Sequence, residues 1–253
     1  MTDWSVDVAD AQAWVKALPA KSAHLAIFDP PYPGMERHVT KGTTTRLIGK
    51  GWFSPVSYDY LLDLFDLLWY AMEWNSHVYM FADQDLAFHL VPTLAEKTYG
   101  ERKKEGGWTF WKALIWHKAP GKLGGGYHYR AQHEMVLFFE KGKRKLSNLS
   151  APDVLVYPRV KSPAIATQKP VELLSVLIGA SSVPGELVID PFCGSGSTGV
   201  AAVSCGRRFQ GCDLDERIAV VARDRIREVE VPAPPCEIEC TSGNAVETAN
   251  DNR

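Results

Sequence analysis

HLAIFDPPY, residues 24–32, is the stretch on which the reading of this chain turns. The apolar run Leu25–Phe28 stops at Asp29-Pro30-Pro31-Tyr32. A short apolar run closed by an acid and two prolines predicts a buried strand that ends at a stiff, non-helical corner. Each proline removes a backbone donor and fixes φ, and Pro31 also restricts Pro30. Asp29 and Tyr32 are thereby held close together at the carboxyl end of a strand, where open α/β sheets bind ligands. A carboxylate, carbonyls outside any ladder and an aromatic face suit a planar group that carries N–H donors. The same tetrapeptide could also be only a proline-rich turn, so the rest of the chain has to decide.

Outward from this corner, apolar segments alternate in type. Strands are predicted at 4–9, 25–28, 77–82, 108–116, 134–140, 186–190 and 209–212. Helices are predicted at 11–18, 58–74, 84–99, 170–182, 197–205 and 215–229. In the helix over 58–74, Leu61, Leu62, Phe65, Leu68, Trp69 and Met72 fall at helical spacing. Pro170 suits a first helical turn, and Pro92 is read as an internal kink or break. This alternation predicts an α/β fold with a mostly parallel sheet. Residues 33–54 lack periodicity and follow the corner directly, as a lid or a substrate-contacting loop would. Residues 141–161 read as irregular, with an apolar stretch in VLVYP.

With 253 residues, 45% apolar and 23% charged, the chain suits one α/β domain. The expected organisation is a single catalytic domain over 1–231 and a disordered tail over 232–253, where Pro, Ser, Thr, Asn and acids dominate. No targeting pattern or bilayer-length apolar run is read. The five cysteines (193, 205, 212, 236 and 240) have neither disulfide-framework nor zinc-site spacing, and no metal is expected. A reduced, cytoplasmic protein is the expectation. Net charge is −2, but residues 97–161 carry +9 and the remainder −11. Such asymmetry predicts a basic face for a polyanion, set against the plainer alternative of a solvated lysine-rich surface.

A second motif lies far downstream. Gly194-Ser195-Gly196-Ser197-Thr198-Gly199 is a G-x-G-x-x-G between a predicted strand and a predicted helix, and Asp213 ends the next strand. Its glycines allow close backbone approach to a ligand, and an acid at that place can bind ribose hydroxyls. This pattern leaves open both a nicotinamide-dependent oxidoreductase and other adenosine cofactors. Asp190-Pro191-Phe192, just before Cys193 and the glycines, separates the two. A pyrophosphate gains nothing from a carboxylate there, whereas a cofactor bearing a sulfonium and an ammonium does.

DPPY at 29–32, TQKP at 167–170 and DPFCGSGSTG at 190–199 together resemble the amino-methyltransferases of DNA. The motif order resembles the β class, a circularly permuted, Rossmann-like methyltransferase fold, over about residues 4–229. WHKAPGKLGGGYHYRAQHEMVLFFEKGK, 116–143, shares in the likeness. The resemblance implies transfer of a methyl group from S-adenosylmethionine to the N6 amine of a flipped adenine in double-stranded DNA. Cytosine N4 is the alternative, and Asp rather than Ser at 29 favours adenine.

By the same resemblance, Asp29, Pro30, Pro31 and Tyr32 are catalytic. Asp10, Lys169, Asp190, Pro191, Phe192, Cys193, Gly194, Ser195, Gly196 and Asp213 hold the cofactor. Asp10 would lie near its adenine and Lys169 near its methionine moiety, although Ile165-Ala166 departs from the family's His-Pro there. Target recognition is expected at about 118–161. DNA contacts are expected from Arg37, Lys41, Arg46, Lys118, Lys122, His128, Arg130 and His133, with Lys141, Lys143, Arg144 and Lys145 as further phosphate ligands. The resemblance also allows a homodimer and a cognate restriction nuclease as partners in a prokaryotic or phage setting.

Overall fold

A computed structural model describes residues 4–33, 55–99, 107–118, 129, 131–161, 165 and 167–229. Its sheet has eight strands: β1 (Trp4–Val8), β2 (Ala23–Phe28), β3 (Met72–Ala82), β4 (Thr109–His117), β5 (His133–Lys141), β6 (Val154–Val156), β7 (Leu187–Asp190) and β8 (Arg208–Asp213). The helices are α1 (Ala11–Ala17), α2 (Tyr58–Ala71), α3 (Gln84–Tyr99), α4 (Val171–Ser181), α5 (Ser197–Ser204) and α6 (Glu216–Arg227). Strand order across the sheet is β1-β8-β7-β2-β3-β5-β4-β6. Among the described strands β5 alone runs against the others, pairing antiparallel with both β3 and β4.

β2 shows why its sequence makes a central strand. Successive side chains on a strand point to opposite faces. Ala26 and Phe28 enter one buried cluster with residues of α1, α2 and α3. Leu25 and Ile27 enter the other with residues of α4, α5 and α6. A strand buried on both faces must be apolar at every position, and these four residues are at most 1% exposed. The fold is therefore a three-layer α/β/α sandwich, as the alternation of elements implies.

The order of β7 and β2 positions the site. From β7 the chain continues through α5 to β8 on one side, while from β2 it continues through α2 to β3 on the other. The strands between which the direction of winding changes are neighbours, with Leu25 beside Val188 and Ala26 beside Ile189. A crevice opens at the carboxyl ends of such a strand pair. Asp29 follows one of these strands and Asp190 ends the other.

Two expectations along the chain need correction. The helix predicted over 58–74 ends at Ala71, because Met72 already belongs to β3. Asn75 has φ 63°, and the register between β2 and β3 jumps from Ala23–Met72 to Leu25–His77. The polar residues Glu73, Asn75 and Ser76 thus break the helix and form an irregular strand entry, which helical spacing of apolar residues could not reveal. The stretch read as irregular contains β6, whose Val154–Val156 pair with Ile115–His117. The predicted lid at 33–54, apart from Pro33, and the tail at 232–253 fall outside the described residues. Among the described residues no helix is long and apolar enough to cross a membrane.

Candidate active site

A cavity of about 840 Å³ opens at the carboxyl ends of the parallel strands. Its lining includes Asp10, Asp29, Pro30, Tyr32, Lys169, Asp190, Phe192, Gly194 and Asp213. Both motifs therefore face one space, although about 160 residues separate them in sequence. The rings of Phe28 and Phe192, one from each corner, lie 6.0 Å apart and join the two halves.

The first corner is rigid for reasons its residues supply. Val56 N–H donates to the Pro31 carbonyl at 2.7 Å, tying the corner to the chain before α2. Among the described residues none donates to the carbonyl of Pro30, which is itself buried. Tyr32 is half-buried and packs against the α1–α2 side of the core. Burial, reinforced by the Asp29 charge, raises its phenol, so the ring stays neutral. The Asp29 carboxylate receives the ammonium of Lys169 through Oδ2. Burial lifts the Asp29 carboxyl, Lys169 opposes that lift, and the charge of Glu134 adds to it.

The second corner is built by glycine. Gly194 and Gly196 have φ 50° and 77°, conformations that L side chains rarely adopt. A Cβ on Gly196 would lie 2.9 Å from Ala222 Cα, so this turn needs glycine for space as well as for torsion. Gly194 N–H donates to Asp213 Oδ2 at 3.0 Å, and Asp215 N–H donates to Asp213 Oδ1 at 3.0 Å. Asp213 is thus fixed by the turn it faces.

Asp190 is 4% exposed. It accepts from Phe192 N–H at 3.0 Å and from the Thr198 hydroxyl. Burial pushes its carboxyl up to about 7, with small lowering from those hydrogen bonds. No basic side chain pairs with it among the described residues. A buried acid that lacks a protein cation suits a cationic ligand. Cys193 and Cys212 are buried, and burial raises both thiols, so neither serves as a nucleophile.

Asp10 lines the same cavity but also holds the fold. Its Oδ1 caps α1 by accepting from Ala13 N–H at 3.1 Å, and its Oδ2 accepts from the Tyr60 hydroxyl at 2.6 Å. Lys169 lies in the cavity on the Asp29 side, where it also contacts Glu134 Oε2 at 3.3 Å. Sequence reading missed Glu134, Tyr60 and Thr198. Glu134 and Tyr60 carry no local signal, because each reaches the site only through strand order or helix docking, whereas Thr198 sits inside the glycine motif itself.

The expected DNA-contacting residues divide. Arg37, Lys41, Arg46, Lys122, His128 and Arg130 lie outside the described residues. His133 is exposed at the start of β5, on the cavity side of the sheet. Lys118, expected to meet phosphate, instead turns inward onto Glu134 Oε1 and leaves only 13% of its side chain exposed. Lys141 is buried and donates to the Met72 carbonyl at 2.8 Å and to the Trp69 carbonyl, at the end of α2. Arg144 pairs with Glu186. Lys141 and Arg144 sit by the start of β3, at the opposite end of the sheet from the cavity. Charge in the sequence therefore overstates the basic face, since these two side chains serve packing.

Among the described residues no cluster of His, Cys, Asp and Glu could hold a metal ion. The sequence of residues 23–224 matches the family model described as DNA methylase, of the N6/N4 type. The type II methyltransferase M.HinfI of Haemophilus influenzae is 32% identical over 158 residues, 53% of this chain. The chain spans less than half the length of the curated relatives it matches, 44% for M.HinfI. Among solved structures, the M1.HpyAVI–SAM complex superposes with TM-score 0.64 at 20% identity, covering 88% of this chain and 98% of that one. The cytosine-N4-specific PvuII DNA methyltransferase superposes with TM-score 0.67 at 16% identity, covering 89% and 86%. These likenesses at low identity concern the fold, whereas the sequence match extends over most of the residues that build both corners and the sheet between them: the chain belongs to the N6/N4 DNA methylase family.

Proposed function

We propose that this protein transfers a methyl group from S-adenosylmethionine to the exocyclic N6 amine of an adenine flipped out of double-stranded DNA. The observation that carries this reading is the meeting of the two corners at neighbouring strand ends in one cavity. One corner offers acceptors and an aromatic face to an amine-bearing base. The other offers two carboxylates and a glycine turn to a cationic adenosine derivative.

The residues fit that cofactor. Asp190 would face its ammonium and Asp213 its ribose hydroxyls, while Phe192 and Ile218 supply apolar walls. When bound, the cofactor supplies an electrophilic methyl on a sulfonium. Asp29 and the Pro30 carbonyl accept the two amine hydrogens and turn the nitrogen lone pair toward that methyl. Alignment of this kind contributes on the order of several kcal/mol. Tyr32 stacks on the base and offsets part of the cost of unstacking it, about a few kcal/mol. As nitrogen gains the methyl it becomes cationic and sheds a proton, which Asp29 can accept and pass to solvent. Burial, by raising the Asp29 carboxyl, makes it a better acceptor for that proton. No covalent adduct with the base is needed, and the buried thiols supply none.

By the family resemblance alone, Asp rather than Ser at position 29 favours adenine over cytosine. Phosphate contacts are assigned to Arg37, Lys41, Arg46, Lys122, His128 and Arg130, with His133 near base edges. The test is methylation of duplex DNA with labelled cofactor, followed by nucleoside analysis. N6-methyladenine is the expected product. N4-methylcytosine alone would overturn the choice of base, and labelling of RNA but not DNA would overturn the substrate class.

A further inference from the structure

Four charged side chains alternate along the rim of the cavity. Lys118 sits on Glu134 Oε1, Lys169 sits 3.3 Å from Glu134 Oε2, and Lys169 also sits on Asp29 Oδ2. Asp29 follows β2 and Glu134 opens β5, so in the sheet they flank β3. Lys169 bridges them across the end of that strand, with its ammonium 4.8 Å from the centre of the Phe81 ring. Its side chain is 12% exposed, and those of Asp29 and Glu134 are each 28% exposed. Water therefore screens this row weakly.

The row determines how Asp29 can act. Lys169 occupies Oδ2, and among the described residues Oδ1 has no partner. One oxygen is anchored and the other is left for an incoming donor beside the Pro30 carbonyl. Because Glu134 shares the ammonium, Asp29 is not fully neutralised and stays a strong acceptor. We propose that Lys169 and Glu134 are positioning residues for the reaction, Lys169 by anchoring Asp29 through Oδ2 and Glu134 by dividing the Lys169 charge. This rests on the proposed methyl transfer and goes beyond it. It also gives Lys169 a role on the base side of the cavity, in place of a contact to the methionine moiety.

Titratable groups facing Asp29 come from several elements: Lys169 before α4, Glu134 on β5, Lys118 after β4, Asp190 on β7 and the neutral Tyr32 hydroxyl in its own corner. Removing Lys169 leaves Asp29 facing Glu134 with no ammonium between them. Its carboxyl must then hold its proton to higher pH. Removing Glu134 concentrates the Lys169 charge on Asp29 and weakens it as an acceptor.

The experiment compares wild type with Lys169→Met, Lys169→Arg and Glu134→Gln in steady-state DNA methylation across pH, with S-adenosylhomocysteine affinity measured by calorimetry. For Lys169→Met, kcat is expected to fall about 100-fold, as for a misplaced reacting group. Its acid limb should move up by about 1–3 pH units, while affinity for the cofactor product is kept. Lys169→Arg should restore most of kcat. Glu134→Gln should lower kcat with KM for the cofactor unchanged. Loss of cofactor affinity with an unmoved acid limb would overturn the inference and return Lys169 to the cofactor. Wild type that is inactive on DNA would overturn the proposed function and this inference with it, so the two failures are distinct.

Discussion

Replacing Asp190 by asparagine should make the cofactor-free protein more stable at alkaline pH while impairing cofactor binding. Asp190 is 4% exposed, and its carboxyl is pushed from 3.8 up to about 7, chiefly by burial. In the unfolded chain it ionises near its ordinary value. Between these two pH values the unfolded state binds fewer protons than the folded state, so rising pH draws the equilibrium toward unfolding. Above pH 7 the accumulated cost is complete, and about 3 units at 1.36 kcal/mol each make it about 4 kcal/mol. Below pH 3.8 both states are protonated and the cost vanishes. Asparagine keeps an acceptor for Phe192 N–H and carries no charge to desolvate. Urea unfolding at pH 5 and pH 8 should therefore show Asp190→Asn gaining up to about 4 kcal/mol over wild type at pH 8, and clearly less at pH 5. Calorimetry with S-adenosylmethionine should show at least a tenfold loss of affinity, from the missing charge opposite the ammonium. An Asn variant less stable than wild type at both pH values would refute this reasoning, because it would mean that the carboxylate is stabilised in place. The expected trade of stability against binding is common at functional sites.

Tyr32→Phe should keep most DNA methylation activity, whereas Tyr32→Ala should lose about 1–3 kcal/mol of transition-state stabilisation, visible in kcat/KM for DNA. Equal losses in both variants would show that the hydroxyl, not the ring face, matters. Lys141→Ala should lower Tm, since the buried ammonium holds the Trp69 and Met72 carbonyls at the end of α2, while leaving the salt dependence of DNA binding unchanged. A shallower salt slope would restore Lys141 to the DNA face. Gly199→Val should cost about 3 kcal/mol or more by overpacking, since even a Cβ there would lie 2.3 Å from Ile226 Cδ1 and 2.7 Å from the Phe209 ring. A variant with unchanged urea midpoint would show that α5 can shift away from β8.

Sequence alone determined the parts whose physics is local. Leu25–Phe28 must be a doubly buried strand because no polar side chain interrupts it, and Pro30-Pro31 must end it because neither residue can continue a ladder. Gly194 and Gly196 mark a turn whose backbone can approach a ligand closely, and Asp213 can be located as the acid that ends the next strand. What the sequence could not contain was adjacency. That β2 lies beside β7, and so joins DPPY to DPFCGSG in one cavity, follows from the packing of helices on both faces of the sheet. That Lys141 and Arg144 are structural follows from α2 ending and β7 beginning beside them, so charge counted along the chain misjudged where charge lies in space. The same holds for Glu134. It is one acid at the head of an apolar strand, and only the reversed direction of β5 brings it to the rim. There it meets Lys118 from the end of β4 and Lys169 from the segment before α4, because electrostatic partners are set by distance through space and not by separation along the chain.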